Sequence, residues 1–131
     1  MPRCFSGPRY TSDLSRARDT AEAVGTRLGI PVVTDPALRE IDVGPIEGLT
    51  AEESKRIDGW QGEPKDAHAR RILDALRRIA ERHPAERVLV VTHGGSMRRV
   101  QTAALGWALP VVENCGSWLC SYEDGTFRAA D

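Results

Sequence analysis

Thr92-His93-Gly94-Gly95-Ser96 puts an imidazole directly after an apolar run and two glycines directly after the imidazole. Where a strand hands over to a helix, the first backbone N–H groups lack intrahelical partners and the helix dipole favours negative charge, so such a turn can bind an anion. The same pentapeptide also fits a tight turn whose histidine merely bonds a backbone carbonyl. Arg16 stands in the expected first turn of another helix, where a cation opposes the dipole and needs an anionic neighbour. A salt bridge to Glu40 or Asp42 would supply one. So would a bound phosphate or carboxylate gripped by the guanidinium fork. Glu40 lies in a stretch punctuated by Gly44 and Gly48. It is either an exposed loop acid or, beside an anion site, a carboxyl that keeps its proton to higher pH and can donate it near neutrality.

The elements that must position these groups follow from periodicity. Arg9-Tyr10-Thr11 has the makings of a short strand, and Ser12-Asp13 of a helix cap. Leu14, Ala17, Ala21, Val24 and Leu28 recur at helical spacing, with Gly29 where a left-handed stop belongs. Pro31 to Thr34 is a brief β-branched strand, Leu38 to Gly44 a loop, and Thr50-Ala51-Glu52-Glu53 a capping box that opens a short helix. Asp66 to Arg82 is the strongest helix, with Ile72, Leu73, Leu76, Ile79 and Ala80 as its buried face. Arg87 to Thr92 is continuously apolar after its first residue, the pattern of a strand covered on both faces. Ser96 to Leu105 is a helix stopped by Gly106, and Gly116 to Tyr122 is a strand turned by Asp124-Gly125 into Thr126-Phe127-Arg128. Strand alternating with helix implies an α/β three-layer sandwich with a mostly parallel sheet, whose ligands gather outside the carboxyl ends of the strands. Arg16 and His93 both fall at such ends.

A chain of 131 residues is expected to be one domain. Eighteen Lys and Arg balance nineteen Asp and Glu, which argues against nucleic acid or a membrane surface as partner. Aromatic residues at 5% are too few for a base-stacking platform. No apolar run approaches the roughly 20 residues of a membrane span, and Met1-Pro2-Arg3-Cys4 lacks the apolar core of a signal peptide, so the expected location is the cytoplasm. Cys4, Cys115 and Cys120 lack paired spacing, and neither a metal constellation nor a dinucleotide glycine pattern occurs, so no cofactor is expected.

Three segments in order carry a resemblance: Ser12-Asp13-Leu14-Ser15-Arg16-Ala17-Arg18-Asp19-Thr20-Ala21, then Leu38-Arg39-Glu40 with Gly44 and Glu47-Gly48-Leu49, then Val88-Leu89-Val90-Val91-Thr92-His93-Gly94-Gly95. Together they resemble the histidine phosphatase superfamily, in its phosphoglycerate mutase-like branch. Asn114-Cys115-Gly116-Ser117 fits the closing segment of that family. The resemblance implies phosphoryl chemistry in which one histidine attacks, a second histidine and two arginines clamp the phosphoryl oxygens, and an acid protonates the leaving group. It implies that Arg16 is the second clamping arginine, Glu40 the proton donor and His93 the second histidine, with the Gly94 amide facing the phosphate of a small anionic metabolite.

The Arg-His-Gly signature that supplies the attacking histidine in this family does not occur in the 131 residues. The remaining histidines, His68 and His83, are expected to be exposed at the ends of the Asp66 helix. The family's first strand would lie beside Arg87 to Thr92, so residues 1–131 are expected to be a single truncated domain of this kind, missing that strand. Three outcomes are therefore open: direct pairing of the remaining strands, occupation of the gap by Met1 to Tyr10, or a strand from a second copy in a homodimer. The function is correspondingly an enzyme of phosphatase or mutase ancestry with altered or reduced activity. Its alternatives are a non-hydrolytic acid–base enzyme, of isomerase or lyase type, using Glu40 and His93, and a catalytically inactive anion-binding or partner-completed module.

Overall fold

Arg9–Thr11 forms β1, the middle strand of a three-stranded parallel sheet in the computed structural model, which describes residues 7–106 and 116–129. On one side β2 (Val32–Thr34) sets Val33 opposite Tyr10; on the other β3 (Val90–Val91) sets Val90 opposite the same residue. The helix α1 (Ser15–Leu28) connects β1 to β2, α2 (Ala51–Ser54) and α3 (Lys65–Arg82) precede β3, and α4 (Gly94–Leu105) follows it. A separate antiparallel hairpin pairs β4 (Cys120–Glu123) with β5 (Thr126–Ala129). The fold is α/β with a parallel sheet and connecting helices, as expected; residues 114 and 115 of the closing segment lie outside the described residues.

The core forms where Tyr10 meets Leu38, Ala75 and Ile79, with Val88 and Val90 against the cluster. Helix α1 lies against all three strands of the sheet. Its buried stripe is Ala17, Ala21 and Gly25, four residues apart, and it does not reach Leu28, which is 55% exposed. The reason is local: a side chain at Gly25 would begin 2.7 Å from Val32 Cγ2, so only a bare backbone lets this turn approach β2. The strand expected from Arg87 to Thr92 is regular only at Val90 and Val91, and both are half-buried. Among the described residues β3 has β1 as its only strand neighbour.

Two local expectations hold, the capping box in its N-cap half. Thr50 caps α2 by accepting the Glu53 N–H at 3.1 Å while its hydroxyl reaches the Glu53 carboxylate. Asp124 and Gly125 both adopt positive φ, 51° and 77°, the pair of conformations a two-residue hairpin requires.

Candidate active site

His93 lies two residues beyond β3 as the N-cap residue of α4 and is 7% exposed. Nε2 is hydrogen-bonded at 2.9 Å to Ser12 Oγ, at the carboxyl end of β1. Parallel pairing of β1 with β3 places these two strand ends side by side, so residues 81 positions apart meet. Ser12 therefore does not cap a helix, as its position had suggested; Leu14 takes the cap position, and the buried Ser12 hydroxyl accepts the Leu14 N–H and serves the imidazole. Burial, with the Arg16 guanidinium nearby, makes His93 give up its proton more readily than a free histidine, and Glu40 opposes the effect.

Glu40 arrives from a loop that three other elements hold. Thr92 donates its hydroxyl to the Leu38 carbonyl at 2.7 Å. From α3, Arg71 reaches the carbonyls of Ala37, Arg39 and Glu40 while forming a bidentate pair with Glu63, whose carboxyl it holds below the usual range. At the rim, Arg39 and Asp13 form a second bidentate pair that fastens the loop to the start of α1 and lowers the Asp13 pKa.

The carboxylate so delivered is cradled by α4. Oε2 accepts the Gly95 N–H at 2.9 Å; Oε1 accepts the Ile41 N–H at 3.0 Å and lies 3.2 Å from Ser96 Oγ. A Cβ at Gly95 would fall 2.6 Å from Oε1, so this position admits only glycine while the carboxylate stays in place. The Gly95 amide is thus engaged by Glu40, and Gly94 beside it is exposed.

Arg16 is exposed in the first turn of α1 and forms an ion pair with neither Glu40 nor Asp42, nor with any other described carboxylate. Its guanidinium still acts on His93. Arg16, Glu40, His93 and the Gly94–Gly95 turn therefore share one end of the sheet. An open hollow of about 300 Å³ lies beside α4, lined by Gly95, Arg98, Arg99 and Thr102, one stripe at helical spacing; Arg16, Glu40 and His93 do not line it. Among the described residues no group of three or more His, Cys, Asp or Glu could hold a metal ion.

The two remaining histidines depart from expectation. His68 is 1% exposed, because it continues the stripe of Ile72, Ala75 and Ile79 one turn toward the start of α3 and lands under Glu40 and Ser96. His83 is half-buried and hydrogen-bonded at 2.8 Å to the Tyr10 hydroxyl, with Glu86 on its other nitrogen. Ser12, His68, Arg71 and Ser96 are the site groups that residue type and spacing did not single out.

Residues 4–130 match the model of the histidine phosphatase superfamily, branch 1. The chain belongs to this superfamily. A metal-independent phosphoserine phosphatase of Arabidopsis thaliana is 38% identical over 109 residues, covering 70% of this chain and 45% of the relative. A probable phosphoglycerate mutase, GpmB of Yersinia enterocolitica, is 35% identical over 142 residues, covering 92% and 65%. The solved structure of Bacillus stearothermophilus YhfR has a TM-score of 0.83 at 30% identity and covers 95% of this chain and 72% of its own. This superfamily member thus spans about half to two thirds of the length of these curated relatives.

Proposed function

We propose that this histidine phosphatase superfamily member binds a small phosphorylated acid and protonates the oxygen that leaves phosphorus. The observation that carries the reading is the convergence of Arg16, Glu40, His93 and the Gly94–Gly95 turn at the carboxyl ends of β1 and β3. Arg16 and the Gly94 N–H grip the phosphoryl oxygens, and a neutral His93 offers a hydrogen bond without adding charge. Water bonds to phosphorus in line as the phosphorus–oxygen bond to the leaving group breaks; Glu40 gives its proton to the bridging oxygen, and the proton released by the attacking water restores Glu40 through solvent. The Arg98–Arg99 stripe of the adjoining hollow suits a second negative charge on the leaving group. The names of the relatives fit such a group, since phosphoserine and phosphoglycerate each pair a phosphate with a carboxylate.

Binding without turnover is the second reading, favoured by the lack of an Arg-His-Gly triplet within these 131 residues. Calorimetry with inorganic phosphate and assays with phosphoserine separate the two. Arg16→Ala is expected to weaken phosphate binding roughly 10- to 100-fold, and Glu40→Gln to lower turnover about 10²–10⁴-fold with phosphate affinity kept. Saturable phosphate binding with no turnover selects the binding module. Failure of the unaltered protein to bind phosphate at all overturns both.

The homodimer belongs to the same proposal. β3 has one strand neighbour among the described residues, and pairing with a second copy would satisfy its other edge. Sedimentation equilibrium is expected to give twice the 14.4 kDa chain mass; a monomer at all concentrations refutes it.

A further inference from the structure

One buried titratable side chain takes part in none of these steps. His68 Nε2 lies 3.0 Å from Ser96 Oγ and 3.8 Å from Glu40 Oε1, while Nδ1 is buried with no hydrogen-bond partner. A buried N–H without an acceptor is rarer in folded proteins than an unused lone pair, so the ring proton belongs on Nε2, where Ser96 Oγ accepts it. The serine hydroxyl is then free to donate, and Glu40 Oε1 and the Arg39 carbonyl both lie 3.2 Å away. The hydroxyl has one proton and the carboxylate is the stronger acceptor of the two, so with the Ile41 and Gly95 amides Glu40 receives three hydrogen bonds, two on Oε1 and one on Oε2. A carboxylate has about four acceptor sites, so the open one is on Oε2.

We propose that His68 is a positioning residue for Glu40: acting through Ser96, it fixes Oε1 and leaves the free lone pair of Oε2 as the place where the mobile proton sits. The inference rests on the reading of Glu40 as proton donor. Burial keeps the His68 ring neutral at physiological pH, Arg71 from its own helix and Arg99 from α4 reinforce this, and Glu40 from the loop and Glu63 oppose it. In the neutral ring the tautomer protonated on Nε2 sets the donor direction from His68 to Ser96.

The test uses the full chain and two readouts. The first is hydrogen exchange of the Gly95 amide by NMR, which reports the bond to Oε2 without requiring activity. His68→Leu is expected to speed this exchange up to about tenfold, the range of one net hydrogen bond, and His68→Gln, whose side-chain amide can replace Nε2–H, to restore it. The second is turnover of an alkyl against an aryl phosphate. His68→Leu is expected to depress the alkyl substrate more, because its poorer leaving group needs the proton, with phosphate affinity unchanged. If Gly95 exchange is the same in His68→Leu as in the unaltered protein, or if His68→Gln behaves like His68→Leu, the proposal is overturned. If the exchange responds as expected but neither substrate turns over, the positioning stands and the proton-donor reading of Glu40 falls. Should His68→Leu fail to fold, His68→Asn, whose amide is too short to reach Ser96, takes its place in the same comparison.

Discussion

Two imidazoles in this site are neutral for the same first reason, burial, and this has a measurable consequence. For a histidine whose folded pKa lies below the unfolded value of 6.5, the unfolded chain binds more protons than the native one between the two values. Stability is then fully present above pH 6.5 and falls as the pH drops through that interval. The lowered carboxyls of Asp13 and Glu63 act only further down, below about 4.5. Thermal melts between pH 7 and pH 5 are expected to show Tm falling with acidification, and less steeply in His68→Leu; equal slopes would count against the neutral buried ring. Residue types raised His93, Glu40 and Arg16 as candidates, since an imidazole before two glycines, a loop carboxylate and a cation against a helix dipole each ask for a partner, and the family resemblance then gave them roles. They did not point to Ser12 or Ser96, whose hydroxyls act on groups 81 and 56 positions away. His68 carried a signal that the polar first turn of α3 masked: it stands four residues before Ile72 on the face that Ala75 and Ile79 continue.

Helices and turns here are set by small local requirements. Gly25 lets α1 touch β2, so Gly25→Val is expected to cost about 1–3 kcal/mol through overpacking against Val32 and the Ile30 carbonyl, outweighing the helix penalty of glycine. Urea melts that show a gain instead would refute the close approach. Arg71 is the main clamp on the Glu40 loop, and Arg71→Met is expected to destabilise by on the order of 2–3 kcal/mol, with proteolysis between residues 39 and 48 as its local signature. Capping box and hairpin were legible because each is written within four residues. The extent of β3 was not: an apolar run reports hydrophobicity, whereas strand length is set by pairing, and among the described residues β3 pairs with β1 only at Val90 and Val91.

For the whole molecule, a ligand that binds only the folded state adds stability by mass action. Phosphate at a hundredfold excess over its Kd is expected to add about 2.7 kcal/mol, a rise in Tm of roughly 10 °C for a chain of this size; no shift would argue against an anion site. No helix among the described residues is long and apolar enough to cross a membrane. The hydrogen bond between Ser12 and His93 has a consequence for the order of folding. It joins the ends of β1 and β3 across 81 positions, so it forms only with the most distant pairing in the sheet. Helices α1 and α3 can consolidate earlier from near neighbours. In a refolding experiment, phosphate binding would therefore appear only with the slowest phase, after most helical signal has returned, and ligand capture would time the closing of the sheet.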